Sequence, residues 1–152
     1  MQWNKTEESH GFSLIEIIVA IAIMSILAAA LVPVAYNQIE QARYKRLLQD
    51  MQSIYEAAMG KPQENYFGFV GDVGRLPDSI PQLISGTGQG AAWNGPYLSG
   101  ASLNVKDPYG KAYVFDKNPI RVRSWGADRT NNNGTGDDVF YPANSVATFK
   151  GG

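Results

Sequence analysis

The sequence predicts an α+β protein, with one long amino-terminal α-helix packed on a small carboxy-terminal antiparallel β-sheet. Three observations carry this. Residues 17–32 form an uncharged apolar run broken only by Ser25, helical amphipathic spacing continues from it to Met59, and short alternating runs bounded by turn residues fill the last third. Organisation follows the same divisions: a short polar leader at 1–11, a helix at 12–59 whose first half (12–35) spans the membrane, an irregular region at 60–105, and a sheet region at 106–152.

A helix crosses a bilayer with roughly 20 apolar residues, and the segment after Gly11-Phe12-Ser13-Leu14-Ile15-Glu16 meets that length. Glu16 is its one charge. An acid at a membrane helix centre costs about 2.5–3.5 kcal/mol on insertion scales, so such a residue is a functional candidate by default. A secretory signal peptide has a shorter apolar core, and a plain anchor explains neither the Gly-Phe junction nor Glu16. Pro33 removes one helical hydrogen bond and crowds the preceding turn, which predicts a kink or local melting near Ala29 to Pro33.

Beyond Pro33, Ile39, Leu47, Met51, Ile54, Tyr55 and Ala58 recur at helical spacing, with Glu40, Arg43, Lys45, Arg46, Gln49, Asp50 and Glu56 on much of the other side. Gly60 and Pro62 supply the stop. From Phe12 to Met59 such a helix measures about 70 Å.

Leader, glycine, phenylalanine, buried acid and long apolar run together resemble the type IV pilin class. The resemblance implies that a prepilin peptidase cuts between Gly11 and Phe12 and N-methylates Phe12. Phe12, Glu16 and Pro33 would then act in assembly, and the product is a helical homopolymer grown from the inner membrane. Counting basic residues gives the opposite orientation. Only Lys5 precedes the segment while Arg43, Lys45 and Arg46 follow it, which by the positive-inside rule puts the carboxy-terminal domain in the cytoplasm; the resemblance puts it in the periplasm, and a cytoplasmic peptidase requires that.

The chain has 13 basic and 14 acidic residues, and loss of Lys5, Glu7 and Glu8 with the leader leaves twelve of each. A neutral chain has no field of one sign to draw in nucleic acid, so DNA binding is not supported by charge. There is no cysteine, and the single histidine, His10, lies in the leader. Triad-type nucleophilic sites and His- or Cys-bound zinc are thereby excluded from the mature chain, leaving only oxygen ligands for any metal.

The middle region is rich in Gly, Pro and aromatics. One short helix is expected over residues 79–85, with Asp78 or Ser79 as N-cap and Pro81 in its first turn. Gly86-Thr87-Gly88-Gln89-Gly90 lacks the Lys-Ser/Thr and the strand-turn-helix setting of a phosphate loop and reads as a flexible loop. Tyr66, Phe67, Phe69, Trp93 and Tyr97 read as packing residues. Asp107-Pro108-Tyr109-Gly110 is a turn, residues 111–115 and 120–125 form a hairpin joined through Asp116-Lys117-Asn118-Pro119, and Val139-Phe140-Tyr141 offers a third strand.

Trp93-Asn94-Gly95-Pro96-Tyr97-Leu98, the run from Lys106 to Phe115, and Ser124-Trp125-Gly126-Ala127-Asp128 resemble the major pseudopilin family of the type II secretion system. That resemblance implies the pilin/pseudopilin fold and a structural, non-enzymatic subunit that forms a pseudopilus for protein secretion. Its implied partners are further copies of itself, prepilin peptidase, an inner-membrane assembly platform and minor pseudopilins. It further implies one calcium ion, held by Asp128, Asp137 and Asp138 and by backbone carbonyls around Trp125 and Thr135. Residues 128–138 supply the carboxylates, amides and bendable backbone that calcium accepts; the same composition also suits an ordinary solvated turn. Two other functions fit the chain: a pilin of an adhesion, motility or DNA-uptake filament, and a membrane-anchored periplasmic binding or enzymatic domain using Asp137 and Asp138.

Overall fold

The structure is a computed structural model that describes residues 11–88, 90–99 and 106–143. The leader before Gly11, residues 100–105 of the irregular region and residues 144–152 of the sheet region lie outside it. The chain divides into two units, Met1–Gln41 and Ala42–Gly152.

In the first unit, α1 (Leu14–Met59) begins where the Ser13 carbonyl accepts hydrogen bonds from Glu16 N (3.0 Å) and Ile17 N (3.3 Å). Glu16 therefore occupies the first turn, where a helix's positive end favours a carboxylate. The helix starts two residues later than expected. It also runs unbroken through Pro33, correcting the expected melting; a single missing N–H costs one rung of a ladder whose flanking rungs persist. Large apolar side chains from Phe12 to Ile39 are exposed, and none of the most apolar eighteen-residue window is buried. Among the described residues α1 is the one helix long and apolar enough to cross a membrane.

The second unit is built on the later residues of α1. Leu47, Met51, Ile54, Ala57 and Ala58 recur at intervals of three and four and are buried, which makes one face of the helix a core stripe. Ile39, expected to belong to this stripe, is exposed. Gly60, with φ +81°, ends the helix in the left-handed region, its N–H reaching the Glu56 carbonyl at 2.7 Å.

Among the described residues one sheet forms, in the order β1 (Val114–Lys117), β2 (Ile120–Ser124) and β3 (Val139–Tyr141), antiparallel throughout. Lys117 pairs with Ile120 across Asn118-Pro119, so Asp116 and Lys117 belong to the strand rather than to the connection. Val122 is fully buried and faces the core with Val139, while Arg121 and Arg123 share the other face with Asp116. Sheet and helix are tied by Tyr113, whose hydroxyl donates to Asp50 Oδ2 at 3.0 Å, and by edge-on packing of Tyr55 against Tyr141.

The middle region holds three short helical pieces where one was expected: 3-10 turns at Pro62–Glu64 and Ile80–Leu83, and α2 (Gly68–Val73). Ser79 is the N-cap residue of the second turn, but its side chain makes no cap bond; Gln82 Oε1 instead accepts from Asp78 N at 2.7 Å. Phe69 and Trp93 each pack edge to face on Tyr97. Tyr97 is fixed by donation to Asp72 Oδ2 (2.8 Å), and Trp93 Nε1 donates to the Gln82 carbonyl (3.2 Å). Phe67 departs from the packing role expected of it and is exposed.

Burial, reinforced by Asp50 and Asp107, raises the Tyr113 phenol well above its ordinary 10.0. The unfolded chain loses that proton above about pH 10 while the folded chain keeps it, so this stability is whole below pH 10 and declines as pH rises further. In denaturant titrations across this range, Tyr113→Phe is expected to cost about 1 kcal/mol at neutral pH and to show a shallower alkaline decline than the unsubstituted chain. Equal slopes would exclude Tyr113 as a principal source of the decline.

Candidate assembly helix and acidic loop

Two places hold the residues singled out in the sequence. At the amino terminus Gly11, Phe12 and Ser13 precede the helix, Phe12 is 78% exposed, and Glu16 and Pro33 are exposed on α1. Among the described residues nothing lies within 4 Å of a Cβ built on Gly11. The fold itself therefore sets no steric bar to a larger residue there.

The acidic loop lies between β2 and β3, and its entrance is fixed by a buried carboxyl that the turn reading overlooked. Asp107 Oδ1 accepts from Tyr109 N (3.0 Å) and Lys111 N (2.8 Å), and its Oδ2 accepts from Ser124 Oγ (2.6 Å). Ser124 Oγ in turn accepts from Gly126 N at 3.2 Å. An Asp followed by Pro-x-Gly is the signal that could have revealed this, because Asp side chains close such turns onto their own backbone. Gly126 has φ +66°, and a Cβ there would meet Asp137 Oδ2 at 2.7 Å. Only glycine lets the strand exit so close to the far side of the loop.

Inside the loop Asn132 is the organiser, and it was not singled out beforehand. Its Nδ2 donates to Asp128 Oδ2 (2.7 Å) and Asp137 Oδ1 (3.4 Å), while its backbone N–H donates to Asp138 Oδ2 (3.1 Å). Asp137 Oδ2 accepts from Asp128 N at 2.7 Å, closing the two ends of the loop on each other. Bonds from Asn132 and then from Thr130 N hold the Asp128 carboxyl below its usual range. Thr135 donates from both N and Oγ1 to the Asn132 carbonyl, and its own carbonyl accepts from Asp138 N. On the sheet side, Arg123 bridges Asp116 Oδ1 (3.4 Å) and Asn131 Oδ1 (3.1 Å).

The three carboxyls differ sharply. Asp128 is exposed, Asp137 is half-buried, and Asp138 is fully buried, its Oδ1 finding no hydrogen-bond partner among the described residues. Among the described residues no group of three or more His, Cys, Asp or Glu side chains stands placed to hold a metal ion. Like charges separate, and each carboxyl takes amide donors instead. Trp125, expected to contribute its carbonyl, lies under the Lys111 ammonium at 5.3 Å from the ring centroid, its Nε1 buried and without a hydrogen-bond partner among the described residues.

An exposed apolar helix opening on a lone acid, joined to an α+β domain with a small antiparallel sheet, defines a membrane-anchored, pilin-like subunit. The prokaryotic N-terminal methylation motif matches residues 8–32, and the family described as type II secretion system (T2SS), protein G, matches residues 35–140. The type II secretion system core protein G of Pseudomonas aeruginosa is 32% identical over 126 residues, covering 80% of this chain and 85% of that protein. The chain belongs to the type II secretion system protein G family, the major pseudopilins. Pseudopilins are structural subunits of a secretion system. No solved structure gives a significant match.

Proposed function

We propose that a prepilin peptidase cuts this pseudopilin between Gly11 and Phe12 and methylates the new Phe12 amine. The mature subunit then polymerises through α1 into a pseudopilus that serves protein secretion. The observation that carries the reading is the first unit itself: an apolar surface exposed on every side, with one carboxylate in its first turn. Leaving a Val, Leu, Ile, Phe or Met side chain in water forgoes about 1.5–3 kcal/mol, so this surface requires lipid before assembly and neighbouring copies after it. Its partners are then other copies of the chain, the inner-membrane assembly platform and minor pseudopilins. The domain lies on the periplasmic side, where no reducing system bears on a cysteine-free fold.

Cleavage creates a cation at Phe12, and Glu16 of a neighbouring copy is its natural counter-charge, since a pair in low dielectric offsets desolvation only at short range. Gly11→Val leaves the fold unchanged, there being no contact to disturb, but is expected to abolish cleavage, read by intact mass and amino-terminal sequencing. Glu16→Leu is expected to be cleaved and inserted yet to assemble poorly. Normal filament yield from that cleaved variant would remove the charge pair from the account.

The acidic loop is read as a calcium site centred on Asp138. Its buried, unpartnered Oδ1 supports this, because an isolated buried oxygen costs about 1–3 kcal/mol unless something supplies a positive partner. Calcium accepts main-chain oxygens beside few carboxylates, so Asp138 with Asp128 or Asp137 and carbonyls near Trp125 and Thr135 suffice, and the ion would fasten β3 to the loop. With free calcium a hundredfold above its dissociation constant, the detergent-extracted chain should gain about 2.7 kcal/mol over chelator, magnesium should substitute poorly, and Asp138→Ala should abolish the difference. Equal melting curves in calcium and chelator, after verified stripping, would leave the loop a solvated turn.

A further inference from the structure

Two Asn-Gly pairs occur in the sequence, Asn94-Gly95 and Asn133-Gly134. Asn-Gly is the pair most prone to cyclise, because glycine has no side chain to obstruct its own nitrogen. The Gly134 nitrogen, having lost its proton, attacks Asn133 Cγ; the bond from Cγ to the side-chain nitrogen breaks and ammonia leaves. Water then opens the resulting succinimide at either carbonyl, giving Asp or isoAsp at position 133 and a one-dalton gain. Hydroxide takes the amide proton, the departing nitrogen regains a proton from water, and the net reaction consumes one water.

At this pair the nucleophile is held. Gly134 N donates to Asp138 Oδ2 at 2.9 Å, and that oxygen also takes Asn132 N at 3.1 Å. Asp138 is fully buried, so water does not compete for the bond. Asn133 is itself exposed and left-handed at φ +54°, with its N–H on Asn131 Oδ1 at 3.1 Å, and Gly134 is left-handed at φ +89° against the Phe140 ring. A hydrogen bond to a carboxylate is among the stronger kinds, and it both keeps the amide proton in place and aims the nitrogen at Asp138 instead of at Cγ.

We propose that Asn133-Gly134 is a latent deamidation site, guarded by Asp138 in the folded loop and released when the loop opens. Conversion adds a further carboxylate to a loop that already carries Asp128, Asp137 and Asp138, and the isoAsp product lengthens the main chain within a turn that depends on two successive left-handed residues. A chain that has once opened there is therefore marked, and closes less well. This holds whether or not an ion binds, since the guarding bond is the protein's own.

Peptide mapping by mass spectrometry after timed incubation of the full chain in detergent, at mildly alkaline pH, reads the one-dalton gain at Asn133. The native chain is expected to convert at least about tenfold more slowly than the same chain in denaturant. Asp138→Ala, its fold verified by thermal melting, should bring the native rate close to the denatured one, while Asp78→Ala, which removes an exposed carboxyl bonded to Arg75 and Lys117 outside the loop, should not. Equal rates for native and denatured chains would overturn the proposal, as would equal acceleration by the two alanine variants.

Discussion

One helix is asked to serve two surroundings, and most of this protein follows from how its sequence meets that demand. In the second unit α1 has a buried stripe through Leu47, Met51, Ile54 and Ala58, flanked by Arg46, Asp50 and Glu56 at its watery margins. From Ile17 to Val34 the same helix has no charged flank, and its large apolar side chains are exposed. Helix propensity cannot distinguish these cases, because Ile, Leu and Ala support both. The distinction lies in where charge is allowed, and between Glu16 and Glu40 the sequence allows none.

The second unit holds itself together with few resources. It has no disulfide, and polar side chains do part of the stapling. Tyr113 reaches Asp50, Asp107 gathers a turn and a strand end through Ser124, and Arg123 joins β1 to the acidic loop. Each such bond contributes modestly when made and costs more when one partner is lost. Asp107 and Asp138 are opposite cases: both are buried, but Asp107 has donors on both oxygens and Asp138 on one only. A buried carboxyl satisfied on both sides is architecture; Asp138 keeps one oxygen without a partner among the described residues.

What could be read in advance follows the range of the interactions concerned. The amino-terminal methylation motif was legible because its residues lie close together in sequence, and β2 and β3 because alternation around Val122 is local. The end of β1 was misjudged because a two-residue Asn118-Pro119 connection leaves Asp116 and Lys117 to pair. Residues 68–73 hid a helix, since two glycines and two valines argue against one, and Phe69 is held there by Tyr97, far away in sequence. Asn132 gave no signal, because three consecutive asparagines look alike until the fold chooses which amide meets Asp128 and Asp137. The acidic residues were rightly placed in one loop, but composition could not say that one would be buried and the others set apart.

The central claim is that the exposed helix exists to be covered by copies of itself. Electron microscopy of filaments sheared from cells that also produce the remaining secretion components tests it most directly, with mass measurement of the dissociated subunit. The expected result is filaments whose subunit begins at an N-methylated Phe12. Abundant processed and exported protein with no filament containing it would contradict the claim, leaving α1 an anchor and nothing more.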